Sequence, residues 1–185
     1  MLDFTFSPFP VLTTPRLTLR EPRPNDVDAL FIIRSNPVLM DFIPRPLART
    51  PADAAAVLTL MRDRQTRNEA INWAITRPED DELIGMIGYV NIYRDAHRAE
   101  IGYILRADAH GQGLMDEALQ ASVAYGFEQL RLHSIEAIIR PENAASRKLV
   151  ERNGFVLEAL FKENCFFEGR YLDSVVYSRL APAAV

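Results

Sequence analysis

The run Ala107-Asp108-Ala109-His110-Gly111-Gln112-Gly113-Leu114-Met115-Asp116-Glu117-Ala118 passes from a strand pattern through two spaced glycines into a helix. Glycine adopts backbone angles closed to other residues, so Gly111 and Gly113 can turn their N–H groups outward. The helix that opens near Leu114 adds unpaired N–H donors and the positive end of its dipole. Such a terminus binds anions, and a phosphate group suits it. The neighbouring residues narrow the choice. A Walker loop closes with Gly-Lys-Ser/Thr, whereas this run continues Gly113-Leu114-Met115. A dinucleotide fingerprint needs a third glycine where Asp116 stands, so nicotinamide-dependent reduction becomes a secondary reading.

Four further residues have chemistry to offer. Glu100 lies in Ala99-Glu100-Ile101-Gly102-Tyr103, a strand pattern in which it shares a face with Gly102 while Ala99, Ile101 and Tyr103 point the other way. Glutamate is disfavoured inside strands. A sheltered carboxylate there could take a proton from an amine, directly or through water; the plain alternative is a surface ion pair with Arg98 or Arg94. Asn143 stands where a helix cap is needed, and Ser146 follows in the first turn, where its hydroxyl can serve the backbone or a ligand. Cys165, beside Phe166 and Phe167, reads as packing.

Composition bounds what these residues can serve. At 185 residues, 48% hydrophobic and 25% charged, the chain suits one well-buried domain spanning 1–185. A net charge of −4 argues against a general nucleic-acid binder, which would cluster lysine and arginine. A single cysteine excludes an intrachain disulfide, and His97, His110 and His133 show no HExxH or CxxC spacing, so no metal is expected. The opening Met1-Leu2-Asp3-Phe4-Thr5-Phe6-Ser7-Pro8 lacks the basic and long apolar regions of a signal peptide, and no apolar run reaches the length of a membrane span. A cytoplasmic location without membrane partners is the expectation.

The elements that must hold these residues follow from periodicity. Pro15 to Arg20 alternates like a half-buried strand, and a short helix follows, ending at Asn36-Pro37. Met40 to Pro51 is rich in proline and reads as loop; Thr50-Pro51-Ala52-Asp53 then opens a helix running to about Asn68. Ile71 to Thr76, Leu83 to Tyr93 and Ala99 to Leu105 read as strands joined by short polar turns, which favours an antiparallel meander. A helix from Leu114 towards Leu130, a strand at Ser134 to Ile139, a helix ending at Asn153-Gly154, and strands at Phe155 to Phe167 and Arg170 to Leu180 complete the chain.

This order, with the glycine loop after the third meander strand and Arg140-Pro141-Glu142-Asn143-Ala144-Ala145-Ser146-Arg147-Lys148-Leu149-Val150-Glu151-Arg152-Asn153-Gly154-Phe155 after the next, resembles the GNAT superfamily of acyl-CoA-dependent N-acyltransferases. Thr14-Pro15-Arg16-Leu17-Thr18-Leu19-Arg20, Ala99 to Tyr103, and Glu168-Gly169-Arg170-Tyr171-Leu172-Asp173-Ser174-Val175-Val176-Tyr177 are similar to the Rim-type branch, which acetylates the N-termini of ribosomal proteins. The resemblance implies an α/β (α+β) fold with a twisted, mixed, largely antiparallel sheet splayed at its middle and flanked by helices. It implies acetyl-CoA as cosubstrate, without metal. Pantetheine would lie between the strand ending at Ile104 and Leu105 and the strand ending near Ile139, pairing like an added strand. The phosphates would meet Asp108, Gly111, Gln112, Gly113, Leu114 and Met115. Asp108 departs from the glutamine or arginine usual at that entrance, and an acid there works against phosphate affinity. Asn143 would contact the cofactor and Ser146 would sit near its sulfur, as catalytic partner to Glu100. A thiol with a pKa of about 8.5 leaves tolerably as thiolate, so less is asked of Ser146 than of Glu100. The implied reaction is direct acetyl transfer to a primary amine, foremost a protein N-terminus, by a monomer or homodimer. The alternatives are a small-molecule amine such as a polyamine, antibiotic or amino acid, or an acyl-CoA-binding module with little turnover.

Overall fold

The structure, a computed structural model, describes residues 2–182. Its elements are β1 (Leu12–Thr13), β2 (Thr18–Arg20), α1 (Val27–Arg34), α2 (Pro37–Met40), α3 (Pro51–Thr66), β3 (Ile71–Arg77), β4 (Asp80–Tyr93), β5 (Arg98–Leu105), α4 (Leu114–Glu128), β6 (Ser134–Ile139), α5 (Ala144–Arg152), β7 (Val156–Phe167) and β8 (Arg170–Leu180). The strands form an eight-stranded sheet in the order β1-β2-β3-β4-β5-β6-β8-β7. Short turns force β3, β4 and β5 into an antiparallel meander, while β5 and β6 run parallel because α4 carries the chain back across the sheet. The parallel ladder holds three register pairs, Arg98↔Ser134, Ala99↔Ile135 and Glu100↔Glu136, and stops there. Past Glu100 the two strands part, so the sheet is splayed at its middle.

Helices cover both faces. Leu30 and Ile33 of α1 and Leu58 of α3 pack on Ala74, Leu83 and Met86. On the opposite face Leu119 and Val123 of α4 join Trp73, Ile87, Tyr89, Ile101 and Ile135. Gly126 lets α4 approach closely, since a Cβ there would collide with the Tyr89 hydroxyl, which donates to the Ser122 carbonyl at 2.7 Å. Without that bond the buried Tyr89 hydroxyl would be an unmet donor in the core.

Several elements differ from the sequence expectation. Asn36-Pro37 does not simply end a helix: Asn36 Oδ1 accepts from the Val38 and Leu39 N–H groups at 2.9 and 3.3 Å, and Pro37 takes the first helical position of the one-turn α2. β4 begins at Asp80 rather than Leu83. Alternation in β2 would send Arg20 to solvent, yet it is 5% exposed, gripped through two 2.8 Å bonds by Asp26 and tied to Asp81. The N-terminal segment is part of the core, with Leu2 and Phe6 buried and Trp73 Nε1 donating to the Pro10 carbonyl at 2.8 Å. No helix among the described residues is long and apolar enough to cross a membrane.

Candidate active site

Where β5 and β6 part, a cavity of about 620 Å³ opens, lined by Gly102, Tyr103 and Ile104 on one side and Ala137, Ile138 and Ile139 on the other. Glu100, Asn143 and Ser146 line it too, so three of the residues singled out by sequence converge on one space. Leu105 is 7% exposed and belongs to the core; its carbonyl is bonded to His110 Nε2 at 2.9 Å. Cys165, read from sequence as packing, is half-buried and also lines the cavity.

A β-bulge orients Glu100. The β4–β5 register runs Tyr89↔Ile101 and then Asn91↔Glu100, so Val90 is an extra residue and Asn91 is turned to stand opposite Glu100. The Asn91 amide donates to Glu100 Oε2 at 2.6 Å while its own oxygen accepts from Arg64 of α3 at 3.2 Å. This fixes which end of the amide faces the carboxylate and leaves Glu100 Oε1 without a protein partner among the described residues. The expected alternative, an ion pair with Arg94 or Arg98, is not what forms. Arg94 Nη atoms bond to the Leu2, Phe4 and Asn68 carbonyls, and Arg98 stacks on Tyr93 and lies 3.6 Å from Glu136. Burial lifts the Glu136 carboxyl above its ordinary range, and the negative charges of Glu100 and Glu158 add to that rise against the opposing pull of Arg98.

The far wall carries a hydroxyl pair. Asn143 caps α5, its Oδ1 accepting from the Ser146 N–H at 3.0 Å, which sets the first turn and with it the Ser146 side chain. Ser146 Oγ lies 2.6 Å from the Tyr103 hydroxyl. Burial pushes the Tyr103 phenol up to about 12, so it keeps its proton throughout the neutral range. Strand alternation sends Tyr103 to the face opposite Glu100, yet the splay lets both faces of β5 border the same cavity.

The glycine loop lies outside that lining. Gly111 and Gly113 both have φ of +73°, in the left-handed region that glycine favours. No backbone carbonyl among the described residues accepts from the N–H groups of Gly111 to Met115. Leu114 is buried and Met115 packs against the same core, anchoring the start of α4. Arg16 braces the loop: its Nη1 donates to the Gln112 carbonyl at 2.8 Å and its Nε to Glu117 Oε2 at 2.6 Å. Gln112 Nε2 closes the turn on the Asp108 carbonyl at 2.9 Å. Burial pushes the Glu117 carboxyl up, but the Thr14 hydroxyl and the Arg16 N–H and guanidinium outweigh it and hold the group below the usual carboxylate range. The Asp108 carboxylate is engaged by Arg106 Nε at 2.7 Å, which holds it below that range, and Arg106 also reaches Glu82. Sequence reading passed over Arg16, Asn91 and Tyr103 as functional residues. Arg16 and Asn91 act across more than one element, and no local spacing announces such partners.

A family model for the acetyltransferase (GNAT) domain matches residues 16–156. The chain belongs to the GNAT family. As a GNAT protein it is an N-acetyltransferase, and its relatives include the Rim type. It is 34% identical over 169 residues to the uncharacterized N-acetyltransferase p20 of Bacillus licheniformis, covering 91% of this chain and 95% of that protein. It is 29% identical over 133 residues to the [ribosomal protein uS5]-alanine N-acetyltransferase of Escherichia coli strain K12, covering 71% of this chain and 69% of that one. Among solved GNAT structures, RimL, a ribosomal L7/L12 alpha-N-protein acetyltransferase in complex with coenzyme A, superposes with a TM-score of 0.85 at 23% identity, over 95% of this chain and all of that one (100%). The splayed sheet is the fold shared with that structure.

Proposed function

We propose that this GNAT protein transfers the acetyl group of acetyl-CoA directly to a primary amine, with the N-terminal amine of a protein, such as a ribosomal protein, as acceptor. The observation that carries the reading is the meeting of two opposed proton-handling groups on one cleft: Glu100, held by Asn91 with one oxygen free, and the Ser146–Tyr103 hydroxyl pair. The acceptor side is supported by the relative that acts on ribosomal protein uS5. The chemistry of the residues fits the cofactor. Outward N–H groups at Gly111 to Met115, at the start of α4, suit its phosphates, and the parted edges of β5 and β6, with Ile104 and Leu105 on one side, suit the amides of pantetheine. Asn143 both caps α5 and borders the same cleft, so it serves as a contact as well as a cap.

Acetyl-CoA supplies an acyl group on a good leaving sulfur. Glu100 Oε1 accepts the proton that an ammonium must lose before its nitrogen lone pair can attack. As the C–N bond forms, the C–S bond breaks and its electron pair goes to sulfur. Ser146 Oγ–H donates to that sulfur and regains a proton from the Tyr103 hydroxyl, which recovers its own from water, while the second proton of the newly acylated nitrogen passes to water. Asp108, neutralised by Arg106, is a brace at the loop entrance rather than a charge facing phosphate. Thiol release from acetyl-CoA across a panel of N-terminal peptides and small amines tests the proposal. Release with peptides and not with polyamines, antibiotics or free amino acids is the expected result; turnover confined to a small amine would move the acceptor assignment, and binding without turnover would reduce the chain to an acyl-CoA-binding module.

A further inference from the structure

The cavity is more positive than acetyl transfer requires. Among the described residues, one acidic side chain lines it, Glu100, against four arginines, Arg34, Arg45, Arg64 and Arg140, in a chain of net charge −4. Two of the four have partners: Arg140 lies 3.3 Å from Glu142, and Arg64 is bonded to Asn91 with Glu69 at 3.8 Å. Arg34 and Arg45 have no carboxylate within 4.0 Å among the described residues. Arg34, the last residue of α1, is half-buried and its Nε is fully covered without a hydrogen-bond partner. Arg45 follows Pro44 on the connection from α2 to α3 and is exposed at the cavity's edge. Both arginines line the same cavity, and burial, with the like charge of Arg45 added to it, lowers the affinity of the Arg34 guanidinium for its proton.

Holding two cations together, one of them partly desolvated, costs free energy unless an anion joins them. The cofactor does not supply one here. Its phosphates belong at Gly111 to Met115, which do not line the cavity, and pantetheine is uncharged. What remains to enter beside Glu100 is the acceptor. We infer that Arg34 and Arg45 form an anion-recognising subsite that selects acceptor amines carrying a carboxylate near the amine. On the protein N-terminus reading, on which this inference rests, the preferred substrate has Asp or Glu within its first few residues. The scale agrees: an extended chain advances about 3.4 Å per residue, so a carboxylate two or three residues from the amine spans a cavity of about 620 Å³.

The test uses three peptides with the same first residue and either Asp-Glu, Asn-Gln or Lys-Lys at the next two positions, and beside them a free amino acid and its amide. The readouts are kcat and KM for acetylation and calorimetric binding of each probe to the CoA-loaded protein. The wild-type protein should favour the acidic peptide over the neutral one by about tenfold in kcat/KM, the scale of one charge-assisted hydrogen bond in a half-open site, with the difference in KM. Arg45→Gln, at an exposed side chain where folding is not at issue, should bring that ratio close to one. Arg34→Lys should keep most of the ratio and Arg34→Gln should lose it. A preference for the amino acid over its amide, with no peptide acetylated, keeps the subsite and moves its carboxylate to a small acceptor. Acidic-selective binding without acetylation keeps the subsite and removes the transfer reading. Equal acetylation of acidic and neutral peptides removes the subsite and leaves the transfer reading intact. Equal binding of both, including none by either, overturns the subsite as well.

Discussion

Replacing Glu117 by glutamine isolates the brace beneath the glycine loop. In the native site Oε1 accepts from the Thr14 hydroxyl at 2.6 Å and the Arg16 N–H at 2.9 Å, and Oε2 accepts from Arg16 Nε at 2.6 Å. A glutamine keeps the first two bonds but sets an amide NH₂ against the Arg16 Nε–H, donor against donor. A shielded hydrogen bond between charged partners contributes about 1.5–3 kcal/mol. The Arg16 side chain is 50% exposed, so water recovers much of this and about 1 kcal/mol is the expected loss. For a chain of this length that is a fall in Tm of roughly 2–4 °C. Because Arg16 also holds the Gln112 carbonyl, acetyl-CoA affinity should fall too, by no more than about fivefold, the factor reached if the whole loss appeared in binding. The pH dependence gives a second check. The folded Glu117 carboxyl titrates below its unfolded range, so its stabilisation is complete above about pH 4.3 and is lost as pH falls through the folded value. The Tm gap between wild type and Glu117→Gln should therefore be full near neutrality and close in acid. Scanning calorimetry across pH and titration calorimetry with acetyl-CoA measure both effects. Equal melting at neutral pH, or a gap that persists unchanged in acid, would refute the argument that the carboxylate's charge holds the loop.

Gly113→Val forces a side chain into a backbone with φ of +73°, and should abolish acetyl-CoA binding while circular dichroism shows the fold retained; undiminished affinity removes the loop from the cofactor site. Glu100→Gln should lower turnover by on the order of a hundredfold without altering acetyl-CoA affinity, the rate recovering at high pH where the amine is already neutral; wild-type turnover at neutrality would make Glu100 structural. Tyr103→Phe leaves Ser146 without its 2.6 Å partner, and kcat should fall by less than about tenfold with KM unchanged, Ser146→Ala adding little to it; independent, multiplying losses would separate the two hydroxyls. Asp108→Asn should change acetyl-CoA affinity by less than about threefold, since Arg106 already claims the carboxylate, and a marked tightening would show that its charge does reach the phosphates.

The meander, the crossover helix and the glycine turn were legible because each rests on local grammar. Two-period alternation, short polar turns and a glycine pair before a helical stripe need no knowledge of distant residues. Asn143 was legible as a cap for the same reason, and its bond to the Ser146 N–H is the expected one. The partners were not. Glu100 faces Asn91 only because Val90 is an added residue, and nothing in Tyr89-Val90-Asn91 marks a bulge. Arg20 sits in a polar place of an alternating strand yet is buried, because Asp26 and Asp81 arrive from other elements to meet it. Asp108 read as an acid facing phosphate because Arg106, two residues away, can be placed on it only once the turn is known. The α2 turn was hidden because Asn36-Pro37 reads as a helix end, and a proline says where a helix stops more readily than where a single turn begins.

The strand order also fixes when during synthesis the cleft can form. β8 follows every other described element in the chain, yet it lies between β6 and β7. Its register with β6 runs from Ser134↔Leu180 to Ile139↔Val175, and β7 joins the sheet solely through it among the described residues. A nascent chain can therefore fold its meander while still attached to the ribosome, but β6 is held from one side by three register pairs alone until β8 emerges. Until then β6 and β7 present open strand edges, the kind that recruit other chains. A chain cut short before Val175 would keep its glycine loop and Glu100 but lack the support that holds Ile138 and Ile139 as the far wall of the cleft. Such truncated products should be targets for proteolysis and aggregation rather than partially active enzymes.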